Sequence, residues 1–92
     1  MDVLTDEQVA ERLAGLPGWT RDGDAIVHVQ KLADFKAALL YVGAVAYLAE
    51  AANHHPDITI QWNKVTLTLS THSAGGLTAK DFALAEQVSR LG

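Results

Sequence analysis

The chain has no cysteine and no cluster of basic residues. Without cysteine, neither a disulfide nor a thiolate metal cluster can stabilise the fold. Lysine and arginine number seven against eleven aspartates and glutamates, which gives a formal net charge of −4. Because proteins that bind nucleic acid usually present a concentrated basic surface, we expect no direct nucleic-acid partner.

A long apolar run is also missing from the sequence. The most apolar stretch covers residues 37–49, between Lys36 and Glu50, and it is too short for a bilayer span of about 20 residues. The acidic N-terminal segment lacks the basic and apolar regions of a signal peptide. These features predict a soluble, cytoplasmic, globular protein without a membrane partner.

The 92 residues of the chain are enough for one domain, which we place at residues 1–92. A domain of this size buries about 60–65 % of the surface that its unfolded chain exposes. The gain from this burial nearly cancels the loss of chain entropy. Association between subunits would therefore add useful apolar burial, and a homo-oligomer is expected.

Capping residues and apolar periodicity predict three helices. The first covers residues 6–15 and starts with a capping box of Thr5 and Gln8. Asp34 can cap the second helix, over residues 34–52. A second capping box, formed by Thr78 and Asp81, begins the third helix, which continues to about Arg90.

Two β-hairpins lie between the helices. Asp22-Gly23-Asp24 joins strands at 19–21 and 25–31, and Asn63-Lys64 joins two alternating strands at 58–62 and 65–70. A turn at Asn63-Lys64 pairs Trp62 with Val65 and makes Trp62 a core residue. The order α-β-β-α-β-β-α predicts an α+β fold in which helices pack on one face of a four-stranded antiparallel sheet.

The predicted second helix is apolar on two sides. Phe35, Leu39 and Val42 lie on one side, whereas Leu40 and Tyr47 belong to another. One side would cover the sheet. The other would contact either the third helix, as in an ordinary core helix, or a second subunit.

Three of the four histidines form two clusters, His54-His55 and His72. Extending the predicted hairpin register places His55 opposite His72 on the polar face of the sheet. Glu50 precedes His54 by four residues, so the two share a helix face if the helix continues that far. Because imidazole exchanges protons near neutral pH, the histidines are candidates for general acid–base catalysis.

Other interpretations of these residues remain open. Imidazoles can bind zinc, although adjacent histidines on a helix diverge too far for joint chelation. They could equally be polar loop residues, with His54 closing a helix C-terminus. Asp81 could orient a histidine or only complete its capping box. His28 is predicted at the surface or at a sheet edge, and Trp19 beside a core edge or a ligand.

The spacing of the polar residues resembles the signature of the pterin-4a-carbinolamine dehydratases. The residues that carry the resemblance are Glu50, His54-His55-Pro56, Trp62, His72 and Asp81. The similarity extends over residues 5–90. Trp62 stands where tyrosine is common in this family, a departure that removes none of the histidines.

The resemblance implies an α+β domain that forms dimers, or tetramers built from dimers. It implies the loss of water from a 4a-hydroxytetrahydropterin, without a metal or an organic cofactor, to recycle the pterin of aromatic amino-acid hydroxylases. It assigns acid–base roles to His54, His55 and His72, and orienting roles to Glu50 and Asp81. The pterin-binding residues that it implies are Asn53, Ser70, Thr71, Ser73 and Trp19. A different role, as dimerisation partner of a homeodomain transcription factor, also occurs in the family.

Overall fold

The computed structural model describes residues 2–91 and contains the predicted elements in the predicted order. The elements are α1 (Asp6–Ala14), β1 (Trp19–Asp22), β2 (Ala25–Lys31), α2 (Phe35–Ala52), β3 (Asp57–Gln61), β4 (Lys64–Leu69), a short 3₁₀ helix (His72–Ala74) and α3 (Ala79–Ser89). The four strands form one antiparallel sheet in the order β1-β2-β4-β3. The predicted α+β fold is confirmed.

Each helix begins at the predicted capping residue. Thr5 accepts a hydrogen bond from the Gln8 backbone N–H at 3.2 Å, and the Gln8 side chain accepts one from Thr5 N at 2.9 Å. The Asp34 carboxylate accepts from Ala37 N at 2.8 Å. These bonds satisfy backbone donors that have no partner within the helix, so short sequence patterns suffice to locate the helix starts.

The helices pack on one face of the sheet. The buried side chains on this face include Ile26, Val65, Leu67 and Leu69. They form one core with buried residues of all three helices, namely Val9, Ala38, Val45, Ala49, Phe82, Leu84, Ala85 and Val88. Threonines occupy the opposite face and remain partly or fully exposed. The alternation of side chains along each strand produces this division.

The register of the second hairpin differs from the prediction. The turn is at Trp62-Asn63, and Ile60 pairs with Val65, so each predicted pair moves by two residues. A shift of two residues keeps every apolar side chain on its face, and alternation therefore cannot distinguish the two registers. Trp62 has φ +52° and is 68 % exposed, so its predicted core role is wrong.

Asn63 explains the observed register. Its side-chain Nδ2 donates to Leu32 O at 2.9 Å, and Leu32 N donates to Asn63 O at 2.7 Å. These two bonds bury Asn63 against the segment that follows β2. They favour the turn at Trp62-Asn63 through a contact between residues that are 31 positions apart in the sequence. The sequence of the hairpin alone therefore does not predict this turn.

Helix α2 is apolar on two sides, as predicted, but Phe35 and Leu39 do not belong to a core side with Val42, because they are 49 % and 46 % exposed. Ala38, Val45 and Ala49 are buried against the core, whereas Leu40 and Tyr47 are 69 % and 76 % exposed. The helix has 18 residues and a mean hydropathy of 1.4, which by length and composition alone would permit a membrane span. Its inner side packs as the core helix of a globular domain does, and its outer side is uncovered in the single chain.

Candidate functional site

Four of the predicted site residues lie at the end of α2 or at the start of α3, namely Glu50, Asn53, His54 and Asp81. Helix α2 ends in a Schellman motif, in which Asn53 adopts φ +51° and His54 N donates to Ala49 O at 3.1 Å. The left-handed residue turns the chain away from the helix axis. The helix ends at Ala52, before His54, so the condition under which Glu50 and His54 would share a helix face is not met. The turn instead sends the two histidines to two different carboxylates.

His54 is hydrogen-bonded to Asp81 at the start of α3. The distance from His54 Nε2 to Asp81 Oδ1 is 2.5 Å, and the Asp81 side chain is completely buried. An ionised carboxylate only accepts hydrogen bonds, so His54 Nε2 carries the proton and donates. In the neutral ring, His54 Nδ1 is then the nitrogen without a proton.

Asp81 makes both contacts between which the sequence could not decide, one to the start of α3 and one to a histidine. Its Oδ2 accepts from Thr78 N at 2.9 Å, which completes the capping box of α3, and from Thr71 Oγ1 at 2.8 Å. Its Oδ1 binds His54. One carboxylate thus caps a helix and is hydrogen-bonded to an imidazole.

His55 pairs with Glu50 at the surface. His55 Nε2 lies 2.6 Å from Glu50 Oε2, and the side chains are 57 % and 77 % exposed. A pair of side chains this exposed contributes little to stability. It does hold the ring through Nε2, so both adjacent histidines are held through the same ring nitrogen.

His72 begins the 3₁₀ helix and lines a cleft of about 360 Å³. Its Nε2 is 3.4 Å from Ser70 Oγ, a long contact compared with those of the other two histidines. The cleft is lined by Asp24, Ala25, Asp57, Thr68, Ser70, Thr71, His72, Gly75 and Gly76. Thr71 belongs both to this wall and to the hydrogen bonds around Asp81.

His55 does not face His72 as the predicted register required. The observed pairing of Asp57 with Thr68, extended by two residues, places Ser70 opposite His55. His55 still precedes β3 and His72 still follows β4. Both therefore lie beyond the same end of the hairpin. This agrees with the prediction that the two histidines lie near one end of it, although they are not paired.

Two of the other candidates occupy the core side of the sheet. Trp19 is buried, donates from Nε1 to Ser89 Oγ at 3.0 Å and stacks on His28 at 5.1 Å between ring centroids. Trp19 does not line the cleft. His28 lies on the internal strand β2 rather than at an edge, and its Nδ1 donates to Gly18 O at 2.9 Å.

Asn53 and Ser73 are exposed and lie outside the cleft wall. Asn53 occupies the left-handed turn between Glu50 and His54, and Ser73 lies within the 3₁₀ helix. Among residues 2–91, no group of three or more histidine, cysteine or acidic side chains is arranged to hold a metal ion.

Sequence reasoning missed the short 3₁₀ helix and the contribution of Thr78 to the site. Thr78 Oγ1 lies 2.9 Å from Thr71 Oγ1, and both residues are buried. The capping box at Thr78 was visible in the sequence, but its contact with Thr71 depends on how the loop between them closes. Of the three histidines near this end of the hairpin, two are hydrogen-bonded to carboxylates.

Comparison with known proteins agrees with the resemblance. Residues 2–91 match the family model described as pterin 4 alpha carbinolamine dehydratase. Relatives from Roseiflexus castenholzii and Nocardia farcinica are 55 % and 53 % identical over 97 % and 98 % of this chain, covering 96 % and 95 % of their own lengths. Both are provisionally named pterin-4-alpha-carbinolamine dehydratases.

Solved structures share the fold. A Brucella melitensis protein described as a transcriptional coactivator/pterin dehydratase superposes with a TM-score of 0.94 at 33 % identity, over 98 % of both chains. A pterin dehydratase-like protein described as a RuBisCO assembly factor gives a TM-score of 0.64 at 20 % identity, over 79 % of this chain and 84 % of its own. The second comparison supports the fold alone.

Proposed function

Because the chain belongs to the pterin 4 alpha carbinolamine dehydratase family, we propose that it converts a 4a-hydroxytetrahydropterin into quinonoid dihydropterin and water. The observation that carries this proposal is the pair of adjacent histidines, His54 and His55, each hydrogen-bonded to its own carboxylate. Such an arrangement fixes the ring orientation and tautomer that acid–base catalysis requires.

The proposed reaction needs two proton transfers. One imidazolium gives a proton to the leaving hydroxyl oxygen, the C4a–O bond breaks, and water departs. A neutral imidazole takes the proton from N5 while the C4a=N5 double bond forms. The acid ends deprotonated and the base protonated, so proton exchange with solvent restores both. Imidazole serves in either role near neutral pH.

In this proposal His54, His55 and His72 carry the proton transfers, while Asp81 and Glu50 orient His54 and His55. The backbone of residues 70–73 would contact the polar edge of the pterin, because Ser70, Thr71 and His72 line the cleft. Asn53 would act through its left-handed backbone, which separates the two histidines. Trp19 is assigned to core packing because it is buried away from the cleft.

The proposed biological setting follows from the reaction. Regenerating quinonoid dihydropterin recycles the cofactor of aromatic amino-acid hydroxylases, and we expect this to occur in the cytoplasm. The uncovered outer side of α2 supports a homodimer, or a tetramer built from dimers.

A regulatory role is the second candidate. The exposed apolar side of α2 could bind a different protein, and the Brucella melitensis relative is described as a coactivator as well as a dehydratase. Substitutions on this side of α2 should then abolish a heterologous complex while turnover persists. Retention of the complex by such variants would remove this candidate.

The decisive experiment measures the decay of a 4a-carbinolamine with and without the purified chain. We expect the chain to accelerate decay above the spontaneous rate, and His55→Ala to lower turnover by about 100-fold or more, because a positioned proton-transfer group is lost. His28→Gln is the matched control and should stay within about two-fold of the original chain, since His28 is hydrogen-bonded to Gly18 and Gln30 and to neither of the carboxylates that hold His54 and His55.

Two results would contradict the catalytic assignment. The first is full activity in a chain carrying both His54→Ala and His55→Ala. The second is a stoichiometric metal in elemental analysis together with loss of activity to chelators, which would favour a metal-dependent mechanism instead.

A further inference from the structure

A buried hydroxyl connects the cleft wall to Asp81. Thr71 is 4 % exposed, and its Oγ1 donates to Asp81 Oδ2 at 2.8 Å. The same Oγ1 lies 2.9 Å from Thr78 Oγ1. A hydroxyl has a single proton, and that of Thr71 is directed to Asp81. The Thr78 hydroxyl must therefore donate to Thr71. The two hydrogen bonds then run in one direction, from Thr78 to Thr71 and from Thr71 to Asp81.

These bonds restrict the Asp81 carboxylate. Oδ2 accepts from two donors, Thr71 Oγ1 and Thr78 N, so Oδ1 remains for His54 Nε2. The terminal torsion of an aspartate is otherwise broad. With Oδ2 held from two directions, the carboxylate presents an acceptor to His54 at a fixed place and stabilises the tautomer with the proton on Nε2.

We propose that Thr71 is a positioning residue for the dehydratase reaction. Its side chain, held by Thr78, sets the orientation of Asp81 and through it the tautomer of His54. The proposal rests on the proposed function, and it gives the hydroxyl a role that does not require contact with the pterin. Thr78 also caps α3. The same residue therefore links formation of the first turn of α3 to the orientation of His54.

The backbone of Thr71 performs a separate task. Thr71 O accepts from Ala74 N at 3.0 Å and Gly75 N at 3.1 Å, and Thr71 N donates to Gly76 O at 3.3 Å. These bonds close the loop after β4 without the side chain. Removal of the hydroxyl alone should therefore leave the loop in place, which makes the role of the side chain separable by substitution.

The test compares Thr71→Val, which has the same shape without the hydroxyl, with Thr71→Ser, which keeps it. We expect Thr71→Val to lower kcat about ten-fold, as is typical for loss of a group that orients a functional side chain, with KM changed less than about two-fold. Thr71→Ser should restore kcat to within about two-fold. Thr66→Val is the control, because Thr66 lies on β4 on the face away from the helices.

A spectroscopic measurement without substrate separates this role from simple support of the fold. The ¹⁵N resonances of His54, recorded in alkaline solution, should show the proton on Nε2 in the original chain and a mixture of tautomers in Thr71→Val. If Thr71→Val does not fold, Thr71→Ala supplies the same comparison with a smaller side chain.

An unchanged tautomer together with an unchanged kcat in a folded variant lacking the hydroxyl would overturn the proposal. Failure of Thr71→Ser to restore kcat would also overturn it. Absence of dehydratase activity in the original chain would instead refute the proposed function, and the ¹⁵N comparison would still decide whether Thr71 controls His54.

Discussion

At the scale of single residues, the two carboxylates that hold histidines differ most in their surroundings. Asp81 is completely buried and accepts three hydrogen bonds, whereas Glu50 is exposed and has one. A buried carboxylate is costly to leave unpaired, and its partners are held rigidly. We therefore expect the two carboxylates to contribute very unequally to stability and turnover.

The corresponding substitutions are Asp81→Asn and Glu50→Gln. Asp81→Asn replaces one acceptor oxygen with a donor, so it should lower turnover about 100-fold or more by disturbing the His54 tautomer. It should also lower the free energy of unfolding by about 2 kcal/mol. Glu50→Gln should change turnover by less than about ten-fold and the free energy of unfolding by less than about 0.5 kcal/mol.

Steady-state kinetics and urea denaturation of both variants check this prediction. Equal losses of turnover and of stability in the two variants would show that burial does not determine how much each carboxylate contributes.

At the scale of elements, the end of α2 determines which carboxylate each of the two adjacent histidines contacts. The left-handed conformation of Asn53 ends the helix and separates the path of His54 from that of Glu50. Asparagine and glycine tolerate this conformation, whereas most other residues are strained by it. The backbone of one residue therefore determines the position of two catalytic candidates.

Substitutions at Asn53 test this interpretation. Asn53→Gly keeps the left-handed turn and should leave kcat and KM within about two-fold of the original. Asn53→Ala should lower the free energy of unfolding by about 1 kcal/mol, and also lower kcat, because alanine is strained in this conformation. A several-fold rise of KM in Asn53→Gly would instead indicate that the side chain contacts the substrate.

The β3–β4 turn stores strain of the same kind. Trp62 has φ +52° but is largely exposed, so its side chain contributes little burial there. Trp62→Gly should raise the free energy of unfolding by about 0.5–1 kcal/mol, the relief of strain less the added entropy of the unfolded chain.

Urea denaturation followed by circular dichroism measures this change without relying on tryptophan emission. Gln61→Gly, in the neighbouring extended strand, is the control and should lower stability because glycine gains no conformational advantage there. Destabilisation by Trp62→Gly of the same size would show that the turn is not strained.

At the scale of the whole molecule, the uncovered apolar side of α2 is the main unsatisfied feature. Phe35, Leu39, Leu40 and Tyr47 are all large apolar residues exposed on this one helix. A small domain gains much from covering such a surface, because its own core is limited. This supports the expectation that copies of the chain associate.

Sedimentation of the purified chain tests this expectation. The original chain should sediment as a dimer or a tetramer, and Leu40→Glu should give a smaller species because it places a charge on the associating surface. Val29→Glu, on the sheet face away from the helices, should leave the size unchanged. A monomeric original chain, or dissociation by Val29→Glu alone, would contradict the prediction.

The sequence by itself determined the features that depend on neighbouring residues. Capping boxes located α1 and α3, alternation located the strands, and their order predicted the α+β fold. The grouping of His54, His55 and His72 at one end of a hairpin followed from the same local patterns.

Only the tertiary structure decided the register and the histidine partners. Asn63 selects its turn through Leu32, a residue distant in sequence, and alternation is the same in registers that differ by two residues. Asp81 binds His54 across 27 positions because α3 packs beside the end of α2. Local patterns specify which elements form and which faces are apolar, whereas pairings between distant polar groups depend on the packing of those elements.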